Sequence, residues 1–92
     1  MITLRDSGAA RLNRNFTFRQ FRYFICVAET ASVASASRML NIAQSAITKS
    51  ILELEETLGV RLFERSARGM ELTPDGHRFL GSARKVLETV AD

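Results

Sequence analysis

Only three residues separate two helical stretches of this 92-residue chain, and so short a link leaves few ways for the chain to fold. Residues 33–40 and residues 44–58 carry apolar side chains at intervals of three and four, the spacing of an amphipathic helix. A link as short as Asn41, Ile42 and Ala43 forces two such helices to cross next to each other. The pattern therefore predicts a helix-turn-helix, with Ile42 buried at the crossing.

The residues that flank these stretches support the predicted boundaries, with one exception. Ser32 can cap the first helix, Asn41 can adopt the left-handed conformation that closes it, and Gly59 can close the second. Ala43 stands where a capping side chain is expected before the second helix, and its methyl group cannot accept a hydrogen bond. The longer helix is therefore predicted to begin without a side-chain cap.

Three further elements are predicted around this pair. Residues 17–30 have the period of an amphipathic helix, and the extended segments on either side of residues 66–69 predict a hairpin that forms a wing-like flap. Thr73, Pro74 and Asp75 then begin a last helix. The apolar residues expected to form the core are Phe21, Phe24, Ile25, Ala28, Ala36, Met39, Leu40, Ile47, Ile51, Leu54, Leu58, Leu62, Phe63, Met70 and Leu72.

Composition limits the classes of function. Thirteen Lys and Arg against ten Asp and Glu permit a polyanionic partner without requiring one. The only cysteine, Cys26, is predicted to be a buried and unreactive thiol, and the only histidine, His77, has neither a nucleophile nor further ligands beside it. We therefore expect no enzyme, metal or cofactor. Since no stretch is apolar enough for a membrane span or a signal peptide, we expect a cytoplasmic protein without membrane contact.

The outward side chains of the longer helix are polar in its N-terminal half: Gln44, Ser45, Thr48 and Lys49. Residues 32–52 include two basic residues and no acid, whereas Glu53, Glu55 and Glu56 follow directly. A helix that reads DNA bases usually meets them with its N-terminal residues, so the pattern is typical of a recognition helix. Ordinary solvent exposure accounts for the same polar face equally well, and the pattern alone leaves both interpretations open.

Three segments carry a resemblance to a known family. FRQFRYFICVAET, AQSAITKSILELEETLGVRLFER and LTPDGHRFL, all within residues 18–80, closely resemble the N-terminal DNA-binding domain of LysR-type transcriptional regulators. The resemblance implies a mainly α fold: a winged helix-turn-helix with a three-helix core and a two-stranded wing, followed by a long linker helix. It also implies that a homodimer binds double-stranded DNA at a dyad-symmetric promoter site.

The resemblance assigns base reading in the major groove to four residues: Gln44, Ser45, Thr48 and Lys49. It places the wing residue Arg68 near the minor groove. Arg65 can contact a phosphate or form a structural ion pair, and both remain open. Ser32 and Ser35 can donate to phosphates at the start of the second helix, although capping is the favoured role of Ser32.

This chain also departs from the family pattern. Ala31 stands where the family commonly has Gly, and Lys49 stands where it commonly has Arg, whose planar fork Lys cannot reproduce. The predicted organisation is a flexible basic tail over residues 1–16, the winged helix-turn-helix over residues 17–73 and a linker or dimerisation helix over residues 74–92. The family's effector-binding domain is missing, so the chain is expected to be an excised or truncated domain, and a small-molecule effector could act only through that missing part.

A homodimer is expected because a small domain has little core, and its last helix has an apolar face too long for that core to cover. The residues predicted at the dimer interface are Tyr23, Val27, Phe79, Leu80, Ala83, Val86, Leu87 and Val90. The competing hypothesis is a winged-helix module for protein interaction or dimerisation without specific DNA binding. The modest charge and the small set of predicted phosphate contacts motivate that alternative.

Overall fold

Four helices and one hairpin make up the part of the chain that the computed structural model describes, residues 18–91, with side chains as far as Glu88. The predicted basic tail lies outside these described residues. In chain order the elements are α1 (residues 18–30), α2 (Val33–Leu40), α3 (Gln44–Leu58), β1 (Phe63–Ser66), β2 (Gly69–Leu72) and α4 (Pro74–Ala91). The predicted fold class, mainly helical with a two-stranded wing, is confirmed.

The ends of α2 and α3 have the geometry predicted from their flanking residues. The Ser32 hydroxyl accepts a hydrogen bond from the Ser35 N–H at 3.0 Å and caps α2. Asn41 closes α2 in the left-handed region with φ 58, and Gly59 closes α3 in the same region with φ 74. Ala43 precedes α3 with an extended backbone and provides no side-chain cap. Local sequence therefore determines both boundaries of the helix-turn-helix.

The junction between α1 and α2 depends on an alanine in an unfavourable conformation. Ala31 has φ 59, and its N–H donates to the Val27 carbonyl at 2.7 Å, so it ends α1 in the left-handed region. This conformation costs a non-glycine residue about 1 kcal/mol, whereas glycine adopts it freely. The left-handed backbone at residue 31 therefore explains why the family pattern has glycine at this position.

An aromatic cluster joins α1, β1 and α4. The ring of Phe24 lies 5.3 Å from that of Phe63 and 5.2 Å from that of Phe79, measured between centroids. Phe21 contacts Phe79 edge-on at 5.3 Å. The core residues around this cluster are Phe24, Cys26, Val27, Ala36, Ile47, Ile51, Leu54, Leu62, Phe63 and Ala83. Burial, and secondly the carboxylate of Glu29, raises the pKa of the Cys26 thiol, so this thiol stays protonated at neutral pH.

Four side chains lie elsewhere than predicted. Met39 is 69% exposed and Leu58 is 40% exposed, so their assignment to the core is wrong. Val27 and Ala83 are completely buried within the chain itself, so their assignment to a dimer interface is wrong as well. The reason is tertiary: α2 buries a single small residue, Ala36, while α4 packs against α1 and covers positions that would otherwise face solvent.

The N-terminal end of α4 is clamped to the segment between α3 and β1. The Thr73 N–H donates to the Leu62 carbonyl at 3.0 Å, and the Thr73 hydroxyl donates to the Arg61 carbonyl at 2.6 Å. The same hydroxyl accepts from the Gly76 N–H at 2.9 Å, which makes Thr73 the N-cap of α4. None of the helices in the described part of the chain is both long enough and apolar enough to cross a membrane.

Candidate nucleic-acid interface

A cleft of about 560 Å³ lies between the N-terminal ends of α2 and α3 on one side and the hairpin on the other. Its lining residues are Ala31, Ser32, Val33, Ala34, Gln44, Thr48, Arg65, Ser66, Ala67, Arg68, Gly69 and Met70. Two of these residues are arginines, and none of the described residues that line the cleft is acidic. The cleft can therefore accommodate a strongly anionic partner without charge repulsion from its walls.

The wall formed by α3 presents exposed polar side chains beside an uncapped helix end. Gln44 and Thr48 line the cleft, while Ser45 and Lys49 are exposed on the adjoining surface of the same helix. Because Ala43 provides no cap, the first N–H groups of α3 are not satisfied by a side chain within the described chain. With no acidic residue in the first turn, this positive end of the helix dipole favours an anionic acceptor.

The opposite wall is the turn of the hairpin. The Ser66 hydroxyl accepts from the Arg68 N–H at 3.1 Å and holds the two-residue turn. The Arg68 side chain is 90% exposed, and its Nε lies 4.0 Å from a Glu71 carboxylate oxygen, a contact too open to immobilise it. No carboxylate among the residues that the structure describes pairs with Arg65, so the structural ion pair considered for that residue is not formed there.

The wing is placed by backbone contacts to the α1–α2 junction. The Met70 N–H donates to the Ala31 carbonyl at 3.1 Å. Gly69 has φ 115, and a Cβ atom on it would lie 2.6 Å from the same carbonyl oxygen. Only a glycine allows the backbone to approach this closely in this conformation. The left-handed turn at Ala31 therefore determines where the arginines of the wing are presented.

A second groove, on the other side of α3, contains Lys49. It is lined by Arg19, Tyr23, Ala46, Lys49, Ser50 and Glu53 and has a volume of about 220 Å³. Here α1 contacts α3 through the buried side chain of Gln20, which donates to the Ser50 carbonyl at 3.4 Å. Two cations, Arg19 and Lys49, are thus presented beside α3 on the side away from the wing.

The structure brings together some of the predicted site residues and separates others. Those that share the cleft are Ser32, Gln44, Thr48, Arg65 and Arg68. Lys49 lies in the second groove, and Ser45 lines neither of the two. The Ser35 hydroxyl accepts a hydrogen bond from Arg38 at 3.3 Å, and its N–H is taken by Ser32. Ser32 therefore acts first as a cap.

The sequence of this fold matches a known family over most of its length. Residues 18–77 match the bacterial regulatory helix-turn-helix proteins of the lysR family. The chain belongs to the LysR family. Among its relatives, the HTH-type transcriptional regulator TfdS of Cupriavidus pinatubonensis is 55% identical over 71 residues, which are 77% of this chain and 24% of TfdS. TcbR of Pseudomonas sp. strain P51 is 52% identical over 71 residues, with the same two coverages.

Solved LysR-family structures show the same fold. The CbnR DNA-binding domain, in a crystal structure with DNA, is 50% identical and superposes with a TM-score of 0.77, covering 80% of this chain and 85% of that one. The BenM DNA-binding domain bound to catB site 1 DNA is 42% identical, also with a TM-score of 0.77, covering 80% of this chain and 83% of that one. The chain spans about a quarter of the length of the full regulators TfdS and TcbR.

Two residues of this LysR-family domain take roles that the sequence pattern did not indicate. Glu55, which follows the predicted reading half of α3, accepts hydrogen bonds from the N–H groups of Leu62 and Phe63 at 2.7 and 3.3 Å. It fastens the start of the wing instead of repelling an anion. Arg19 stands beside Lys49 only because α1 crosses α3 at that point. In the sequence, the only signal was that Arg19 falls on the polar side of the predicted first helix.

Proposed function

We propose that this chain is the sequence-specific DNA-binding domain of a cytoplasmic bacterial transcriptional regulator, and that it inserts α3 into the major groove of double-stranded DNA. The observation that carries the proposal is the acid-free cleft between the N-terminal half of α3 and the wing arginines. Membership of the LysR family and likeness to the DNA-bound domains of CbnR and BenM support it. Nothing in these comparisons supports the alternative of a protein-interaction module without DNA binding.

In this proposal the exposed residues of α3 read base edges and the wing follows the adjacent groove. The residues that contact bases are Gln44, Ser45, Thr48 and Lys49. Arg68, which is 90% exposed at the tip of the wing, reaches the minor groove, where negative potential attracts arginine. Arg65 contacts a phosphate, since no described carboxylate competes for it. Arg19 adds a phosphate contact on the far side of α3.

The phosphate backbone near α2 is contacted by its N-terminal residues. Ser32 already uses its hydroxyl oxygen to cap α2, but its O–H can still donate to a phosphate at the rim of the cleft. Ser35, whose oxygen accepts from Arg38, can donate in the same way. The uncapped N–H groups of α3 offer further donors.

Lys49→Ala and Arg68→Ala are each expected to weaken binding to selected DNA about tenfold, because each removes a proposed groove contact. A duplex selected from a random pool by the wild-type chain, followed by fluorescence anisotropy at physiological salt, measures this. Arg78→Ala is the matched control: it removes one cation on α4, beside Leu58 and Val60 and outside the cleft. Unchanged affinity in both test variants would refute the assignment, and binding insensitive to salt would refute the electrostatic basis of the complex.

We further propose that two copies pair through the outer part of α4, so that two α3 helices meet a dyad-symmetric site. Val86 is 39% exposed and Leu87 is half-buried at this end of the helix. Tyr23, Phe79 and Leu80 are also half-buried and complete the proposed interface, together with Val90, whose side chain lies outside the described part.

Val86→Glu is expected to convert the dimer into a monomer, because it places a charge in an apolar contact. Sedimentation velocity at micromolar concentration distinguishes the two species. Met39→Glu changes an exposed apolar residue of α2, 69% accessible, and should leave the sedimentation coefficient of the wild type unchanged. A wild-type chain that stays monomeric at high concentration would rule out pairing through α4 alone.

A further inference from the structure

Leu52 is a large apolar side chain on the outer surface of α3 that the described part of the chain leaves mostly exposed. Leu52 is 58% exposed, whereas the apolar neighbours on the inner face, Ile51 and Leu54, are 4% and 3% exposed. Leaving a leucine in water forgoes the stabilisation that its burial would supply. A partner that covers this position would recover it.

The helix geometry places Leu52 among the proposed base-reading residues. With about 100° of rotation per residue, it points about 40° away from Thr48 and about 20° away from Ser45 around the helix axis. With a rise of about 1.5 Å per residue, it lies about 6 Å further along α3 than Thr48. It therefore continues the same outward strip, about one helical turn beyond Thr48.

Leu52 lies beside charged side chains of α3, of the segment before β1 and of the wing. Leu52 borders a small pocket of about 190 Å³ between α3 and β1, and the charged residues in its lining are Glu55, Arg61 and Arg65. The Glu55 carboxylate is engaged by the N–H groups of Leu62 and Phe63. Arg65 belongs to the wing and faces the cleft. Leu52 is thus the apolar member of an otherwise polar reading surface.

We infer that Leu52 contacts the methyl group of a thymine in the major groove and makes that position selective. Leucine can neither donate nor accept a hydrogen bond, and the thymine methyl is the prominent apolar group among the base edges there. A base that presented only polar atoms to Leu52 would lose water without gaining a hydrogen bond. This inference rests on the proposed function, since it needs α3 in the major groove.

The test removes one methyl group at a time from the DNA. The probe is the duplex selected by the wild-type chain, with each thymine replaced singly by uracil, which pairs identically but lacks the 5-methyl group. Wild type is expected to lose about fourfold in affinity at one thymine of each half-site, the effect of losing about one buried methyl group. Leu52→Ala should bind the thymine duplex about fourfold more weakly and make no distinction between thymine and uracil there.

Two controls separate this contact from general effects. Leu58→Ala removes another partly exposed leucine of α3, 40% accessible at the far end of the helix, and should keep the thymine preference of wild type. Circular dichroism should show that Leu52→Ala is folded, because the side chain is mostly exposed.

Three outcomes overturn the inference. Wild-type binding that is indifferent to every uracil would exclude a methyl contact. A Leu52→Ala variant that binds more weakly but retains the full uracil penalty would assign the methyl contact to another residue. A variant that retains both the penalty and the wild-type affinity would remove Leu52 from the interface. Failure of the wild-type chain to select any duplex would instead refute the proposed function itself, and this inference with it.

Discussion

Gly76→Ala is expected to destabilise the domain by about 3 kcal/mol or more, a shift of more than about 10 °C in the melting temperature. A Cβ atom at residue 76 would lie 2.2 Å from the Leu62 carbonyl oxygen and 2.9 Å from a methyl carbon of Leu72. The Leu62 carbonyl belongs to the backbone, so it cannot rotate away from the added methyl group as a side chain could. The first turn of α4 must therefore separate from Leu62, and the hydrogen bonds that Thr73 donates to the Leu62 and Arg61 carbonyls are lost or lengthened.

Gly81→Ala is the matched control for this prediction. Gly81 is in the same helix, is exposed, and has no atom within 4 Å of an added Cβ. Alanine should stabilise α4 there by about 0.5 to 1 kcal/mol, because glycine is the poorer helix former. Urea unfolding at a fixed protein concentration measures both variants, since dimerisation would make the midpoint concentration-dependent. Equal midpoints for Gly76→Ala and wild type would show that α4 does not contact Leu62 as closely as described.

Gly69→Ala is expected to weaken DNA binding at least tenfold while leaving the helical core folded. The residue has φ 115, and an added Cβ would lie 2.6 Å from the Ala31 carbonyl oxygen. Strain of this kind costs about 1 to 3 kcal/mol, and it is relieved by detaching the wing from the α1–α2 junction. Arg65 and Arg68 would then no longer be held across the cleft from α3.

Gly59→Ala is the control that separates the backbone strain of a positive φ from the steric clash with a neighbouring carbonyl. Gly59 also has a positive φ, 74, but no atom lies within 4 Å of an added Cβ. This variant should lose about 1 kcal/mol of stability and retain wild-type DNA affinity, because it changes the end of α3 that lies away from the cleft. Circular dichroism and fluorescence anisotropy together measure the two properties. Wild-type affinity in Gly69→Ala would mean that wing placement contributes nothing to binding.

The elements of the fold could be predicted because their signals are local. The N-cap at Ser32, the left-handed residue Asn41 and the terminal Gly59 all act within one turn of the helix they bound, and each was found where the pattern indicated. The absence of a side-chain cap at Ala43 was predicted from the sequence in the same way. These features depend on a few neighbouring residues, which a sequence displays directly.

Burial was predicted less well, because it depends on which elements pack together. Met39 has the period of a core residue, but the short helix α2 leaves it exposed. Val27 and Ala83 resemble surface contacts in the periodic pattern, yet they are buried where α4 covers α1. Periodicity identifies an apolar face, but the width of that face is set by the number of helices packed against it.

The features of the candidate site likewise fall into two groups, those set by local sequence and those set by tertiary packing. Sequence alone determined the helix-turn-helix, the polar N-terminal half of α3 and the hairpin, since each follows from short-range propensity and spacing. Three relations emerge from tertiary packing: Arg65 and Arg68 face Gln44 and Thr48 across one cleft, Lys49 shares a groove with Arg19, and Glu55 holds the wing. These relations join residues on different elements, and their geometry exists only once the core has fixed the helices and the wing relative to one another.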